Sequence, residues 1–203
     1  MRILSVVILI ALCTNSATWA GDGLVALQTA DPSCPDHSGN IYVNCGNGTV
    51  TDNRTGLVWL ADANCLGLVT WYEAMEFVAG LKDIQPADSA AAADDCGLSD
   101  GSSSGEWRLP SLDEWEAMVA DAVALGCSDP PITYDDGTLC WSTICGLVGV
   151  RCSFSDVEPF SYWSSTTRAE FPGNAWEVSM FDSGVNTDFK TSNGAVWLVR
   201  RGQ

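Results

Sequence analysis

The residues that offer chemistry by type and spacing are cysteines, carboxylates and one serine set between glycines. Cys34, Cys45, Cys65, Cys96, Cys127, Cys140, Cys145 and Cys152 follow an N-terminal stretch that holds Cys13. No CxxC pair occurs and the one histidine is His37, so a tetrahedral zinc site lacks its ligands. An even set of cysteines in an exported chain predicts four disulfides. Gly101-Ser102-Ser103-Ser104-Gly105 matches the GxSxG pattern in form. A nucleophile elbow also needs a strand before it, a helix after it and a histidine base. This serine lies among glycines and serines in a chain with a single histidine, so the segment reads as loop. Asp135, Asp136, Asp156 and Glu158 fall in an expected loop region, and Asp182 and Asp188 border an expected hairpin. Calcium takes about six to eight oxygens from carboxylates and carbonyls, which makes these six the candidate metal ligands and calcium the candidate ion. Trp141, set among the cysteines, is the candidate ligand-binding aromatic, because an indole face stacks well on an apolar sugar face.

The compartment follows from the first 20 residues. Arg2 supplies a positive charge, Ile3 to Cys13 is an apolar run, and Thr18-Trp19-Ala20 offers small residues around a cut after Ala20. That order is a secretory signal peptide, with an apolar run too short to span a bilayer. A secreted or periplasmic location is expected, with cleavage near Ala20 and no membrane span. The formal net charge of −17 makes nucleic acid a poor partner. Arg54, Lys82, Arg108, Arg151, Arg168, Lys190, Arg200 and Arg201 are scattered, and only Arg200-Arg201 are adjacent.

These groups need elements to position them. Residues 21–40 read as a polar lead-in and 41–203 as one domain. Thr49-Val50-Thr51 and Gly56 to Leu60 read as strands around an Asp52-Asn53-Arg54-Thr55 turn. Thr70 and Glu73 form a capping box for a helix whose stripe is Trp71, Ala74, Met75, Val78 and Leu81. Ser111 and Glu114 form a second, ahead of Leu112, Trp115, Met118, Val119, Ala122 and Leu125, with Gly126 placed to end the helix. Residues 127–160 read as an irregular, cystine-braced region. Strands are expected over 161–166, 175–180, 185–190 and 195–200, with Asp182-Ser183-Gly184 as a hairpin turn. The sum is an α+β domain with two helices.

Four ordered blocks then carry a resemblance. Asn47-Gly48-Thr49-Val50-Thr51-Asp52-Asn53-Arg54-Thr55-Gly56-Leu57-Val58-Trp59, Cys96-Gly97-Leu98-Ser99-Asp100-Gly101, Trp107-Arg108-Leu109-Pro110 and Tyr162-Trp163-Ser164-Ser165-Thr166 occur in sequence, and Val196 to Gly202 closes them. This pattern is similar to the Lcl C-terminal domain, or DUF1566, family. The resemblance implies a C-type-lectin-like fold: a twisted antiparallel sheet, two helices and long loops that carry ligands in relatives. It also implies a binding or adhesion role, for glycans or a protein surface, without catalysis. The family's namesake carries a collagen-like stalk and adheres to sulfated glycans; this chain has no Gly-X-Y repeat. Cys65–Cys96 is the favoured pair, since it ties the first helix to the Cys-Gly-Leu-Ser-Asp block, and Cys34–Cys45 is expected to pin the lead-in. The remaining four cysteines leave three pairings open, with Cys127–Cys140 and Cys145–Cys152 preferred. Cys140 and Cys145 are also similar in spacing to the copper-binding pair of formylglycine-generating enzymes, which makes such an enzyme the first alternative. A structural envelope component is the second.

Overall fold

A computed structural model describes residue 34 and residues 39–83, 96–145 and 147–202. The expected signal peptide, most of the lead-in and His37 lie outside the described residues. Among those described, no helix is long and apolar enough to cross a membrane.

Mixed helix and mostly antiparallel sheet follow from the pattern. Strands β1 (Tyr42–Asn44), β2 (Thr49–Asp52), β3 (Leu57–Leu60) and β9 (Val199–Arg201) form a four-stranded antiparallel sheet in the order β1-β2-β3-β9. Strands β4 (Leu68–Thr70), β5 (Ser161–Thr167), β6 (Asn174–Ser179), β7 (Val185–Phe189) and β8 (Asn193–Ala195) form a second sheet in the order β4-β8-β5-β6-β7. The single strand expected over 195–200 is corrected: Ala195 ends β8 in the larger sheet and Val199 opens β9 in the smaller one. The wholly buried Val196, Trp197 and Leu198 cross between the two, so an unbroken apolar run marks a passage through the core rather than one strand.

Both capping boxes form. Thr70 Oγ1 accepts from Glu73 N and Ser111 Oγ from Glu114 N, while each glutamate returns a bond to its cap backbone. They start α1 (Trp71–Gly80) and α2 (Leu112–Leu125). Gly126 ends α2 at φ 79°, the left-handed conformation glycine adopts without a side-chain clash. The buried stripe is narrower than expected, because Met75 and Leu125 are exposed. A third helix, α3 (Trp141–Ile144), is one turn long and sits in the cystine-braced region.

Trp59, Trp107, Trp115, Trp163 and Trp197, each no more than 2% exposed, fill the space between sheets and helices. The Trp115 ring lies 5.1 Å from Trp59, 5.8 Å from Trp197 and 5.8 Å from Tyr162, and its Nε1 donates to the Trp163 carbonyl at 3.2 Å. Trp176, also expected in the core, is only half-buried. Four disulfides close the framework: Cys34–Cys45, Cys65–Cys96, Cys127–Cys140 and Cys145–Cys152. Beside the second of them the β1–β2 turn meets the chain so closely that a Cβ on Gly48, at φ +85°, would collide with the Gly97 carbonyl.

The second cap is reinforced from outside. Arg108 grips Glu114 with two 2.6 Å bonds, and this fork and the Ser111 N–H hold the carboxyl below its ordinary 4.5, against the opposing effect of burial. A carboxylate with a lowered folded value stabilises above its unfolded pKa, and that contribution fades as pH falls through the folded value. Glu114→Gln should therefore cost about 1–2 kcal/mol at neutral pH. The deficit should shrink, in urea unfolding, between neutral pH and an acid pH below the lowered folded value, where the wild-type carboxyl is protonated. An equal deficit at both pH values would assign the effect to side-chain shape.

Candidate functional site

The structure disperses most of the groups the sequence singles out. Cys140 and Cys145 belong to different disulfides, so the copper-type pair is not formed. The GxSxG segment is a turn: Ser103 N donates to Glu106 Oε2 and Glu106 N returns a bond to the Ser103 carbonyl. Its neighbour Ser102 bonds Asp100 and accepts from the Trp107 indole.

The six candidate calcium ligands do not converge, and among the described residues no three His, Cys, Asp or Glu side chains could hold a metal ion together. The reason is local. Asp136 accepts from Thr138 N and Asp182 from Gly184 N, turn bonds that lower both carboxyls. Asp135 is raised by burial although it accepts from Ser153 N. Asp188 Oδ1 takes the Phe189 N–H at 2.6 Å and the Ser192 hydroxyl at 3.2 Å. Asp156 stands exposed at φ 53°, and the half-buried Glu158 offers its backbone N–H to the Tyr162 hydroxyl. Acids at turns organise their own turns, which a count of carboxylates does not reveal.

Trp141 is likewise relocated. It opens α3 half-buried, packed on the core, with its indole N–H buried and without a partner among the described residues.

Of the exposed aromatics, Phe160 and Phe181 lie beside the β6–β7 hairpin, and Tyr72, Phe171 and Phe189 lie at the opposite end of the larger sheet. The first capping box fixes Trp71 and Tyr72 at the start of α1. Trp71 is then locked: its Nε1 donates to the Ser164 carbonyl at 2.9 Å, its N–H to the Lys190 carbonyl at 3.1 Å, and the Lys190 ammonium sits 4.1 Å from its ring centre. Lys190 is itself buried and donates to Thr167 Oγ1 at 2.7 Å. Tyr72 packs edge-on to Trp71 at 5.6 Å and remains 54% exposed. Across the same end, Lys190 N bonds the Gly173 carbonyl, which places the β5–β6 turn beside the end of β7. There the Arg168 guanidinium lies 4.6 Å over the Phe171 ring and reaches Thr187 Oγ1 at 3.3 Å. Phe171 is 56% exposed and Phe189, paired in register with Asn174, is 64% exposed. Nearby, burial raises the Glu177 carboxyl above its ordinary range.

This aromatic rim is open at its edge yet blunted. Lys190 N to the Gly173 carbonyl and Ser179 N to the Gly184 carbonyl set the β6–β7 ladder, leaving Val185, Thr187 and Phe189 to point their backbone groups outward. Asp188 Oδ1 accepts the Phe189 N–H and Ser192 N donates to the Phe189 carbonyl, so the Phe189 end of β7 is closed to pairing with another strand. What the rim presents is ring faces. Three features could have revealed it in the sequence: Phe171 interrupts a turn, Tyr72 falls off the helix stripe, and Phe189 ends a strand of polar residues.

The scattered basic residues are also partly gathered. Arg108 exchanges both backbone bonds with Val199, at 2.9 Å each, which sets it beside Arg200 and Arg201.

A family model, the Lcl C-terminal domain, matches residues 48–200 of this chain. No curated protein matches it.

Proposed function

We propose, from the premise that this chain belongs to the Lcl C-terminal domain family, that it is a secreted or periplasmic adhesion module that holds a glycan on the aromatic rim. The observation that carries this reading is the exposure of Tyr72, Phe171 and Phe189 at one end of the sheet, beside a locked Trp71. Exposed rings set on rigid backbone bind sugar faces at low entropic cost, and large aromatics left in water mark interaction surfaces. Four disulfides support an oxidising, extracellular setting, as does the leader read in residues 1–20. Antiparallel sheets, two capped helices and the cystine-braced region support a C-type-lectin-like fold.

A glycan array probed with the purified protein, with calcium and with chelator, tests the reading. Binding that survives chelation is expected, because the rim acts through rings and not through carboxylates. An array with no bound glycan, or binding abolished by chelator, would overturn it.

A further inference from the structure

We infer that a second, separate cleft beside β9 binds a small sugar acid, with Arg201 as the group that grips its carboxylate. The cleft encloses about 510 Å³ and is lined by Gly105, Glu106, Arg108, Arg200, Arg201 and Gly202. That volume falls in the range of small-molecule sites, about 300–1,000 Å³, and leaves room for one sugar ring. A smaller recess of about 270 Å³ shares Arg201 and continues the cleft toward Asp113 and Ala117 at the start of α2.

The backbone aligns the two outer arginines. Arg108 and Val199 exchange both backbone bonds, so they share one face of the ladder, and Arg201, two residues after Val199, returns to that face. Arg200 turns to the opposite side, where its Nε and Nη2 both bond the buried Asp100 carboxylate at 3.0 Å.

The balance of donors and acceptors identifies the ligand class. Part of the acceptor set around the cleft is engaged: both oxygens of the adjoining Glu114 hold Arg108, and Glu106 Oε2 takes the Ser103 N–H. Donors of the cleft remain free. Arg108 uses Nη1 on Glu114 and the Leu109 carbonyl and Nη2 on Glu114, leaving its Nε–H and one Nη2–H. Arg201 is exposed and makes no ion pair among the described residues. A planar guanidinium with unused N–H groups matches a carboxylate two bonds to two. Polyanions fit poorly, because Glu106 and Asp113 flank the same arginine and the chain carries −17. No aromatic side chain lines the cleft; Gly202 N donates to the Gly56 carbonyl at 3.1 Å, and the Gly105 backbone and the Gly202 carbonyl face it as the groups for sugar hydroxyls.

Titration of the full secreted chain, followed by calorimetry and by amide NMR, tests this with D-glucuronate, D-glucose, acetate and sulfate as probes. D-Glucuronate should bind at least tenfold more tightly than D-glucose or acetate and should shift the Gly105 and Gly202 amides. Arg201→Gln should weaken it at least tenfold, while exposed Arg151→Gln should leave it unchanged. Should Arg201→Gln not fold, the shifted amides of the wild-type protein decide the location. Glucuronate binding no tighter than glucose, equal binding by Arg201→Gln, displacement by an equal concentration of sulfate, or shifts confined to residues outside the cleft would each overturn the assignment. Variants of Tyr72, Phe171 and Phe189 should bind glucuronate normally, so this cleft and the rim can fail independently.

Discussion

Arg200→Met should destabilise the protein by about 3–5 kcal/mol, the range for removing one partner of a buried ion pair. Arg200 is 2% exposed and its side chain meets an Asp100 carboxylate that is fully buried. Asp100 also accepts from Ser102 N and Oγ, and Ser102 in turn accepts from the buried Trp107 indole at 3.0 Å. Arg200 lies 5.5 Å over that indole and donates to the Arg201 carbonyl. The substitution leaves a carboxylate in the interior without its cation, and desolvation of that orphan dominates the cost. Asp100→Leu combined with Arg200→Met should recover much of the loss, since neither charge then remains. Urea unfolding of both proteins checks this. A single-variant loss under about 1 kcal/mol would mean that water reaches the pair.

Trp115→Ala should cost about 3–5 kcal/mol for a different reason, the cavity left by a large buried ring. Trp115 stands at the centre of the aromatic cluster, against Trp59, Trp197 and Tyr162, and ties α2 to β5 through the Trp163 carbonyl. Trp115→Phe should lose less, because it keeps most of the packing and forfeits chiefly that bond. A loss under about 1 kcal/mol for the alanine variant, measured by denaturant unfolding, would contradict the assigned helix phase.

The parts of the fold that were legible in the sequence rest on local chemistry. Thr70 with Glu73 and Ser111 with Glu114 mark helix starts because a side chain three residues away answers a backbone donor. Gly126 and Asp182-Ser183-Gly184 mark turns because few residues adopt those backbone angles. The split at 196–198 was not legible, since a run buried on every side has no period to read. Site residues were the least legible. Trp141 looked exposed among cysteines, yet α3 lays it against the core. Phe171, Tyr72 and Phe189 are far apart in the chain and come to one end of the sheet only through the Lys190 backbone bonds to Trp71 and Gly173. Arg108 and Arg201 likewise meet only once Val199 pairs with Arg108.

The rim reading has one most direct test, the triple variant Tyr72→Ala, Phe171→Ala, Phe189→Ala assayed on the best glycan from the array. All three rings are more than half exposed, so the variant should unfold at the wild-type denaturant midpoint. The account predicts that it loses at least tenfold in affinity for that glycan. A triple variant that folds normally and binds the glycan as tightly as the wild type would contradict it.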